Sequence, residues 1–330
     1  VEVARDFERA HPGVRIEVLS SSSAAGESEK IKFYLAGRLP LDVTWIDITE
    51  FGAMLEEQVL LDLQPWFDAD PDWNPDDYFA GPRDALRDRQ GHLYGLPSTF
   101  TPYVMYYNRD LLAAAGLEPP KPDWTWSDLE EIARRCTIDQ DGDGKPEQYG
   151  ISLTQWLQAV APWIWQNGGC LLSPDHRRSA MAEPEAIQAI AFLTRLLHQD
   201  RVAAFDATFE NQLVRSRFQA GTVALYGPVG YWETYRFKTI TDFAWDVAPL
   251  PREREAATAV AMRSYVVPRI SRHPQLAYEF VRALAGEKMQ RGLARIGNGV
   301  PGLKSAAYSE DFLKPDVPPP SERVFLDVLD

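Results

Sequence analysis

The chain has 330 residues, of which 45% are hydrophobic, 25% are charged and 12% are aromatic. This length accommodates about two domains, and the composition is that of an ordinary folded protein, which excludes a disulfide-stapled miniprotein, a fibrous repeat and a disordered chain. The 34 Lys and Arg residues against 48 Asp and Glu residues give a net charge of −14. Such a surface repels phosphate backbones, so we expect no nucleic-acid partner.

The two ends of the sequence predict that further chain lies outside it. Residues 1–7 carry no signal sequence and begin without Met inside an amphipathic pattern, and no apolar run reaches the roughly 18 residues that a spanning helix needs. The Pro-rich run 314–320 is typical of an extended connection rather than of a domain end. We therefore expect residues before Val1 and after Asp330.

Strand and helix patterns alternate from the start of the chain. Val14, Ile16 and Val18 alternate with polar residues, which predicts a half-buried strand; a helical pattern follows at 29–36, and 43–46 has the length and β-branched content of a buried strand. This βαβ order predicts a mostly parallel sheet.

Three later helices have clear start signals. Ser127 with Glu130 predicts a capping box, and Pro184 and Pro274 each precede an apolar stripe with helical spacing. Apolar runs that predict strands lie between and after these helices, at 223–226, 247–250 and 265–267.

No motif in the sequence predicts catalysis or a cofactor. Gly297-Asn-Gly-Val-Pro-Gly302 matches GxGxxG by letter, but no strand precedes it and Pro301 stands where the phosphate-binding helix should open. The five histidines have no metal-ligand spacing, and no GxSxG, HExxH or Walker sequence occurs. We expect no enzyme active site, no cofactor and no metal site.

Two features allow alternative interpretations. Cys136 and Cys170 could be two free thiols or, in an exported protein, one disulfide. Asp139-Gln-Asp-Gly-Asp-Gly144 resembles the start of a calcium loop, but Gly150 stands where the bidentate Glu belongs, so a solvated turn is the alternative.

Several segments in the same order resemble the extracellular solute-binding proteins that deliver sugars to ABC importers, the maltose/trehalose-binding group. The matching segments are Leu35-Ala-Gly-Arg-Leu-Pro-Leu-Asp-Val43, Leu60-Leu-Asp-Leu-Gln-Pro65, Gly91-His-Leu-Tyr-Gly-Leu-Pro97, Tyr106-Tyr-Asn-Arg-Asp-Leu111, Trp124-Thr-Trp-Ser-Asp128, Asn167-Gly-Gly169, Gly221-Thr-Val-Ala-Leu225 and Asp246-Val-Ala-Pro-Leu-Pro251. Leu41 departs from the family pattern because it separates Pro40 from Asp42. Together these segments cover nearly the whole chain.

The resemblance implies a two-lobe α/β fold of the type II periplasmic-binding-protein class, with a ligand cleft between lobes joined by crossing strands. It places the N-terminal lobe at 1–107 and 265–303 and the C-terminal lobe at 108–264 and 304–330. It also implies an extracytoplasmic, monomeric binding protein, periplasmic or membrane-associated, that has no catalytic activity and captures a saccharide or polyol for an ABC permease. A carbohydrate-active enzyme is the alternative class, since carboxylates and Trp platforms also build glycosidase clefts.

A sugar site needs flat aromatic surfaces for the C–H faces and carboxylates, amides or Arg for the hydroxyl rim. Asp47 and Glu50 follow a strand and could accept hydroxyl hydrogen bonds, or could serve as helix-cap carboxylates. The remaining candidates from position and resemblance are Thr101, Tyr103, Trp156, Tyr231, Trp232 and Arg263.

Two of these candidates mark departures from the family. Val229 occupies the position of the family's sugar-platform Trp, so Tyr231 or Trp232 is expected to replace it. Arg263 stands where many sugar binders have glycines and a Trp. A guanidinium can clamp a carboxylate or phosphate, which makes an acidic sugar or a glycerol phosphodiester the alternative ligand; the other interpretation is that Arg263 binds sugar hydroxyls or bridges the lobes.

Overall fold

The computed structural model describes residues 2–19, 32–37, 39–205, 212–297, 299–314 and 316–329. It divides the chain into two compact units. Unit 1 comprises Val1–Phe100 and Ala261–Leu313, and unit 2 comprises Thr101–Val260 and Lys314–Asp330. These boundaries differ from the expected ones: the chain passes between units at 100/101, 260/261 and 313/314, where the resemblance implied 107/108, 264/265 and 303/304.

The regular elements are numbered here in chain order. The strands are β1 (Thr44–Asp47), β2 (Gly95–Pro102), β3 (Val104–Asn108), β4 (Tyr149–Leu153), β5 (Ala203–Phe205), β6 (Val223–Val229), β7 (Trp245–Ala248), β8 (Val260–Val266) and β9 (Val300–Pro301). The α-helices are α1 (Glu2–Ala10), α2 (Ile48–Glu56), α3 (Gln64–Ala69), α4 (Ala80–Asp84), α5 (Arg109–Ala114), α6 (Trp126–Cys136), α7 (Leu157–Gln166), α8 (Pro184–His198), α9 (Gln212–Gln219), α10 (Trp232–Phe237), α11 (Pro274–Ala285), α12 (Glu287–Ile296), α13 (Lys304–Ala307) and α14 (Val324–Asp327). A 3₁₀ turn spans Pro75–Asp77, and residues 32–36 are helical, whereas the rest of the helix expected at 29–36 lies outside the described residues.

One sheet has the strand order β1-β8-β2-β9, and its β1–β8 and β2–β9 ladders are antiparallel. The other sheet has the order β5-β4-β6-β3-β7 and lies in unit 2. Its β4 pairs parallel with β5 and β6, whereas β3 pairs antiparallel with β6 and β7. Every residue of β3 and β6 is buried, which is why these central strands are continuous apolar runs in the sequence.

Several sequence predictions of local structure are confirmed, whereas others are wrong in detail. The helices that open at Pro184 and Pro274 are present, as is the strand after residue 43. The prediction of a mostly parallel sheet is wrong. An apolar run in the sequence indicates that a strand is buried, but it does not indicate the direction of the neighbouring strand. The capping box of α6 is formed by Thr125 and Asp128, not by Ser127 and Glu130.

The strand expected at Val14, Ile16 and Val18 is also wrong. Residues 14–19 have no ladder assignment in the described structure, and the Ile16 N–H donates instead to Glu8 Oε1 at 2.7 Å. The alternation is real, since positions 14 and 16 are half-buried and 15 and 17 are exposed, but alternation alone does not supply a partner strand.

Candidate functional site

The candidate residues fall into two groups, one in each unit. Asp47, Glu50 and Arg263 belong to unit 1; Thr101, Tyr103, Trp156, Tyr231 and Trp232 belong to unit 2.

The unit 1 group lies where β1 and β8 pair. Asp47 is directly opposite Arg263 in the antiparallel ladder, and Trp45, two residues before Asp47, lies on the same face of β1. The Arg263 guanidinium carbon lies 4.8 Å from the centre of the Trp45 ring, a cation–π contact. Arg263 is exposed, and among the described residues its guanidinium makes no hydrogen bond or ion pair. We call Trp45, Asp47 and Arg263 the arginine group.

The carboxylate of Asp47 has a structural partner already. Its Oδ1 accepts hydrogen bonds from the Thr49 N–H at 3.0 Å and the Thr49 hydroxyl at 2.7 Å, so Asp47 is the N-cap of α2. Glu50 is half-buried in the first turn of the same helix, where a negative charge is favoured by the helix dipole. Asp47 therefore serves as a helix-cap carboxylate, and in the part of the chain that the structure describes its second carboxylate oxygen makes no hydrogen bond.

The unit 2 group contains three aromatic rings in contact. The ring centres of Tyr103 and Trp232 lie 5.5 Å apart at an interplanar angle of 81°, and those of Trp156 and Trp232 lie 6.0 Å apart at 59°. The two tryptophans are half-buried, whereas Tyr103 is 3% exposed. We call Tyr103, Trp156 and Trp232 the aromatic cluster.

Strand directions explain why these three residues meet although they are far apart in sequence. Trp156 follows β4 and Trp232 follows β6, and because these strands are parallel, their carboxyl ends lie at the same edge of the sheet. Tyr103 precedes β3, whose first residue Val104 pairs with Val229, the last residue of antiparallel β6. The hydroxyl of Thr154, directly after β4, donates to the carbonyl of Pro228 near the end of β6 at 2.6 Å and ties the two strand ends together.

Two of the predicted unit 2 residues have their polar groups turned inward. Tyr231 is 1% exposed, packs edge-on against Phe325 at 4.9 Å and donates its hydroxyl to Glu322. Burial raises the pKa of Tyr231, and it also raises the pKa of Glu322. Thr101 is 7% exposed, and its Oγ1 accepts a hydrogen bond from the Tyr231 N–H at 2.5 Å.

Two residues near the groups were not singled out from the sequence. Trp45 contacts Arg263, and the signal that could have found it is its spacing of two residues from Asp47 on one strand. Gly230 lies under the Trp232 ring, a contact that no spacing in the sequence indicates. Val229, at the family's platform position, is fully buried in β6.

A charged pair anchors the helix that Trp232 opens. Glu233 is 0% exposed, and the Arg215 Nε donates to both of its carboxylate oxygens at 2.9 and 3.0 Å. Burial nevertheless raises the pKa of Glu233, since it disfavours the ionised form more than the pairing favours it.

The acidic loop before β4 brings Asp139, Asp141 and Glu147 together, with carboxylate oxygens within 4.8 Å of one another, and all three are exposed. Asp139 accepts the N–H groups of Gly142 and Gly144, and Glu147 accepts that of Gln140. These bonds are those of a self-capped turn, and the choice between turn and calcium loop stays a prediction.

The chain is similar to a known protein family, to individual sequence relatives and to solved structures. The model of the bacterial extracellular solute-binding proteins matches residues 1–291. The arabinooligosaccharide-binding protein of Bacillus subtilis strain 168 is 22% identical over 302 residues, which are 87% of this chain and 66% of that protein. The sn-glycerol-3-phosphate-binding periplasmic protein of Escherichia coli strain K12 is 40% identical over 114 residues, 33% of this chain and 25% of that protein.

Among solved structures, an ABC substrate-binding protein from Listeria monocytogenes in complex with cycloalternan matches with a TM-score of 0.85 at 24% identity. The match covers 99% of this chain and 82% of that one. This likeness shows the fold, which is the expected two-lobe α/β fold of type II binding proteins. The chain spans about two thirds of the length of its Bacillus relative.

No helix in the described ranges combines the length and the apolar character needed to cross a bilayer. The family match covers most of the chain, and the matched range 1–291 includes both the arginine group and the aromatic cluster. The chain belongs to the family of bacterial extracellular solute-binding proteins.

Proposed function

We propose that this protein is the extracytoplasmic substrate-binding component of an ABC transporter and that it captures a saccharide or related polyol. The observation that carries the proposal is the aromatic cluster, in which two half-buried tryptophans share the edge formed by the carboxyl ends of β4 and β6. Ligands of open α/β sheets bind outside the carboxyl ends of strands. Family membership and the oligosaccharide-binding Bacillus relative support the same ligand class.

The stacking of a sugar ring on the tryptophan side chains is the reason for proposing a saccharide ligand. A pyranose ring has an apolar C–H face that packs on an indole, and its hydroxyl rim needs polar partners. In this proposal Trp232 and Trp156 provide the stacking surfaces, and Tyr103, which is almost fully buried, supports Trp232 from the side. Thr101 and Tyr231 act as supports rather than ligand contacts, because their polar groups already bind one another and Glu322.

The arginine group provides a polar binding surface in unit 1. The exposed guanidinium of Arg263 is held by the Trp45 ring and has no acidic partner among the described residues, so its donors are available to a ligand. Asp47, opposite Arg263, adds a carboxylate oxygen that suits hydroxyl donors. Glu50 follows in the first turn of α2 and is a further carboxylate acceptor. Together with Glu50, the arginine group supplies both acceptors and donors for the hydroxyl rim of a sugar.

An anionic ligand is the second candidate, and Arg263 favours it because its guanidinium has no acidic partner within the described ranges. Guanidinium groups bind phosphate and carboxylate in bidentate fashion, and one relative carries a glycerol phosphate name. Calorimetry distinguishes a neutral saccharide from an anionic ligand by measuring how Arg263→Ala changes the affinities for maltotriose and for sn-glycerol 3-phosphate. Selective loss of the phosphate ligand supports an anionic substrate, and equal loss of both ligands contradicts it.

We further propose that the protein acts without chemistry on its ligand and functions as a monomer outside the cytoplasm. The ligand would shift the protein toward the conformation that binds it more tightly. A membrane permease would then recognise this ligand-bound conformation. Incubation with labelled oligosaccharides is expected to leave them intact, and turnover would contradict a purely binding role.

The decisive experiment identifies the ligand and then removes its platform. Mass spectrometry of material that co-purifies with the protein should reveal a saccharide or polyol. Trp232→Ala should weaken its binding by about 30-fold or more, as expected when an aromatic anchor worth about 2 kcal/mol is lost. Trp66→Ala is the matched control, since Trp66 is also half-buried but lies in unit 1 outside both groups. An unchanged affinity in Trp232→Ala would contradict the proposal.

A further inference from the structure

The indole of Trp232 rests on a glycine two residues earlier. A methyl carbon built on Gly230 would lie 2.2 Å from Cζ3 of Trp232, 2.6 Å from Cη2 and 2.7 Å from Cε3. All three atoms belong to the six-membered ring. The two neighbours of Cζ3 are nearly as close as Cζ3 itself, whereas an approach in the ring plane would leave them much farther away. The added carbon would therefore stand over the face of the ring.

The backbone of Gly230 does not itself require glycine. Its φ lies outside the left-handed range, unlike that of Gly227 at 149°, so an L-residue can adopt its conformation. What excludes a side chain at position 230 is the indole, since real Cβ atoms do not approach other atoms this closely. The missing Cβ is thus explained by the ring and not by the turn.

The peptide under the ring is held in place from several sides. The Gly230 carbonyl accepts hydrogen bonds from the Tyr106 hydroxyl at 3.1 Å and the Glu233 N–H at 3.3 Å. The next residue, Tyr231, is fixed through its N–H to Thr101 and through its hydroxyl to Glu322. Because this peptide cannot move away at low cost, a side chain at 230 must displace the indole instead.

We propose that Gly230 is a positioning residue for the ligand platform. Its missing side chain lets the peptide cover one face of the Trp232 six-membered ring, so the opposite face presents itself to the ligand at a fixed height and tilt beside Tyr103 and Trp156. One consequence is that this ring stacks with one sugar unit only. That a ligand stacks on this ring rests on the proposed function. The position of the ring rests only on the distances around Gly230.

Gly230→Ala tests the inference, first without any ligand. The variant should change the near-ultraviolet circular dichroism that arises from the coupled rings of Tyr103, Trp156 and Trp232. Adding Gly230→Ala to a Trp232→Ala background should change that signal no further. Gly81→Ala is the control, since a methyl group there meets no atom within 4 Å and its φ is not left-handed. An unaltered spectrum in Gly230→Ala would overturn the proposal.

Binding gives the second readout, with maltotriose, arabinotriose and sn-glycerol 3-phosphate as probes. For each probe that the wild type binds, Gly230→Ala should weaken binding about tenfold or more, and should change it less than about twofold in the Trp232→Ala background. An equal loss in both backgrounds would show that Gly230 acts independently of the indole and would overturn the proposal. If the wild type binds none of the probes, the proposed ligand class is contradicted, and the spectroscopic result still decides the positioning role. If Gly230→Ala alone fails to fold and the double variant folds, the steric conflict with Trp232 is confirmed.

Discussion

Tyr231 and Trp232 are adjacent aromatic residues with opposite environments. The Tyr231 ring lies in the core against Phe325, and the Trp232 ring lies half-exposed over Gly230. Sequence alone offered both as replacements for the family's platform residue. The choice depends on Glu322, which lies 91 positions away and provides a buried partner for the Tyr231 hydroxyl. A short-range pattern cannot contain that information.

The two cysteines provide a test at the scale of single residues. Both are free thiols in the structure; Cys170 is exposed, whereas Cys136 is 1% exposed and burial raises its pKa to about 11. Because the thiolate is the reactive form, an aromatic disulfide reagent at pH 8 should label one thiol rapidly and the second only after denaturation. Cys170→Ser should abolish the rapid phase. If neither thiol reacts even after denaturation, and both react only after a reductant is added, the two cysteines form a disulfide, which would contradict the structure.

At the scale of elements, an ion pair joins two helices of unit 2. Glu130 of α6 accepts hydrogen bonds from both terminal nitrogens of Arg195 in α8, at 2.8 and 2.6 Å. The hydrogen bonds from Arg195 lower the pKa of Glu130 from its usual 4.5 to about 2. The Glu130 side chain is 20% exposed, so solvent screens part of this interaction.

The ion pair predicts a pH dependence of stability with a definite sign. Because the folded-state pKa is below the unfolded value, the stabilisation is complete above about pH 4.5 and is lost as the pH falls toward about 2. Glu130→Gln should lower the free energy of unfolding by about 1–3 kcal/mol at pH 7, and the difference from wild type should shrink at pH 3. Urea unfolding of both proteins at pH 7 and at pH 3 measures this difference in the free energy of unfolding.

Glu131→Gln is the matched control for this prediction. Glu131 pairs with Arg135 on the same helix, but its side chain is 62% exposed. Exposed pairs of this spacing contribute only about 0.3–0.5 kcal/mol, so this variant should remain close to wild type. Equal effects of the two substitutions, or a Glu130→Gln effect independent of pH, would argue against a stabilising bridge between α6 and α8.

At the scale of the whole molecule, neither unit is one continuous stretch of chain. Unit 2 takes its last part from 314–330, and this segment supplies Phe325 and Leu326, both 0% exposed, to its core. Ser321 adds hydrogen bonds to Asp246, from its N–H at 2.9 Å and from its hydroxyl at 2.8 Å. The segment is therefore an integral part of unit 2, although its Pro-rich start resembles a linker.

Deletion of 314–330 should destabilise unit 2 strongly. Loss of each large buried apolar side chain costs about 2–5 kcal/mol, and the deletion also leaves the Tyr231 hydroxyl without Glu322. Limited proteolysis with peptide mapping should show early cleavage within 101–260. Deletion of 328–330 alone, which removes no fully buried side chain among its described residues, should leave the cleavage pattern close to wild type. Equal protection of unit 2 in both truncations would contradict this account.

The sequence by itself determined what local physics controls. Pro at the first turns of α8 and α11 set helix starts, and continuous apolar runs marked the buried strands, because these signals act within a few residues. The ordered family segments predicted the two-lobe class. Only the tertiary structure decided that the unit 2 sheet is mixed, that residues 14–19 join no ladder of the described structure, that Thr125 caps α6 and where the chain passes between the units. It likewise decided that Trp156, Trp232 and Tyr103 meet while Tyr231 turns inward, since strand direction and the partners available to a buried hydroxyl are set by residues far away in the chain.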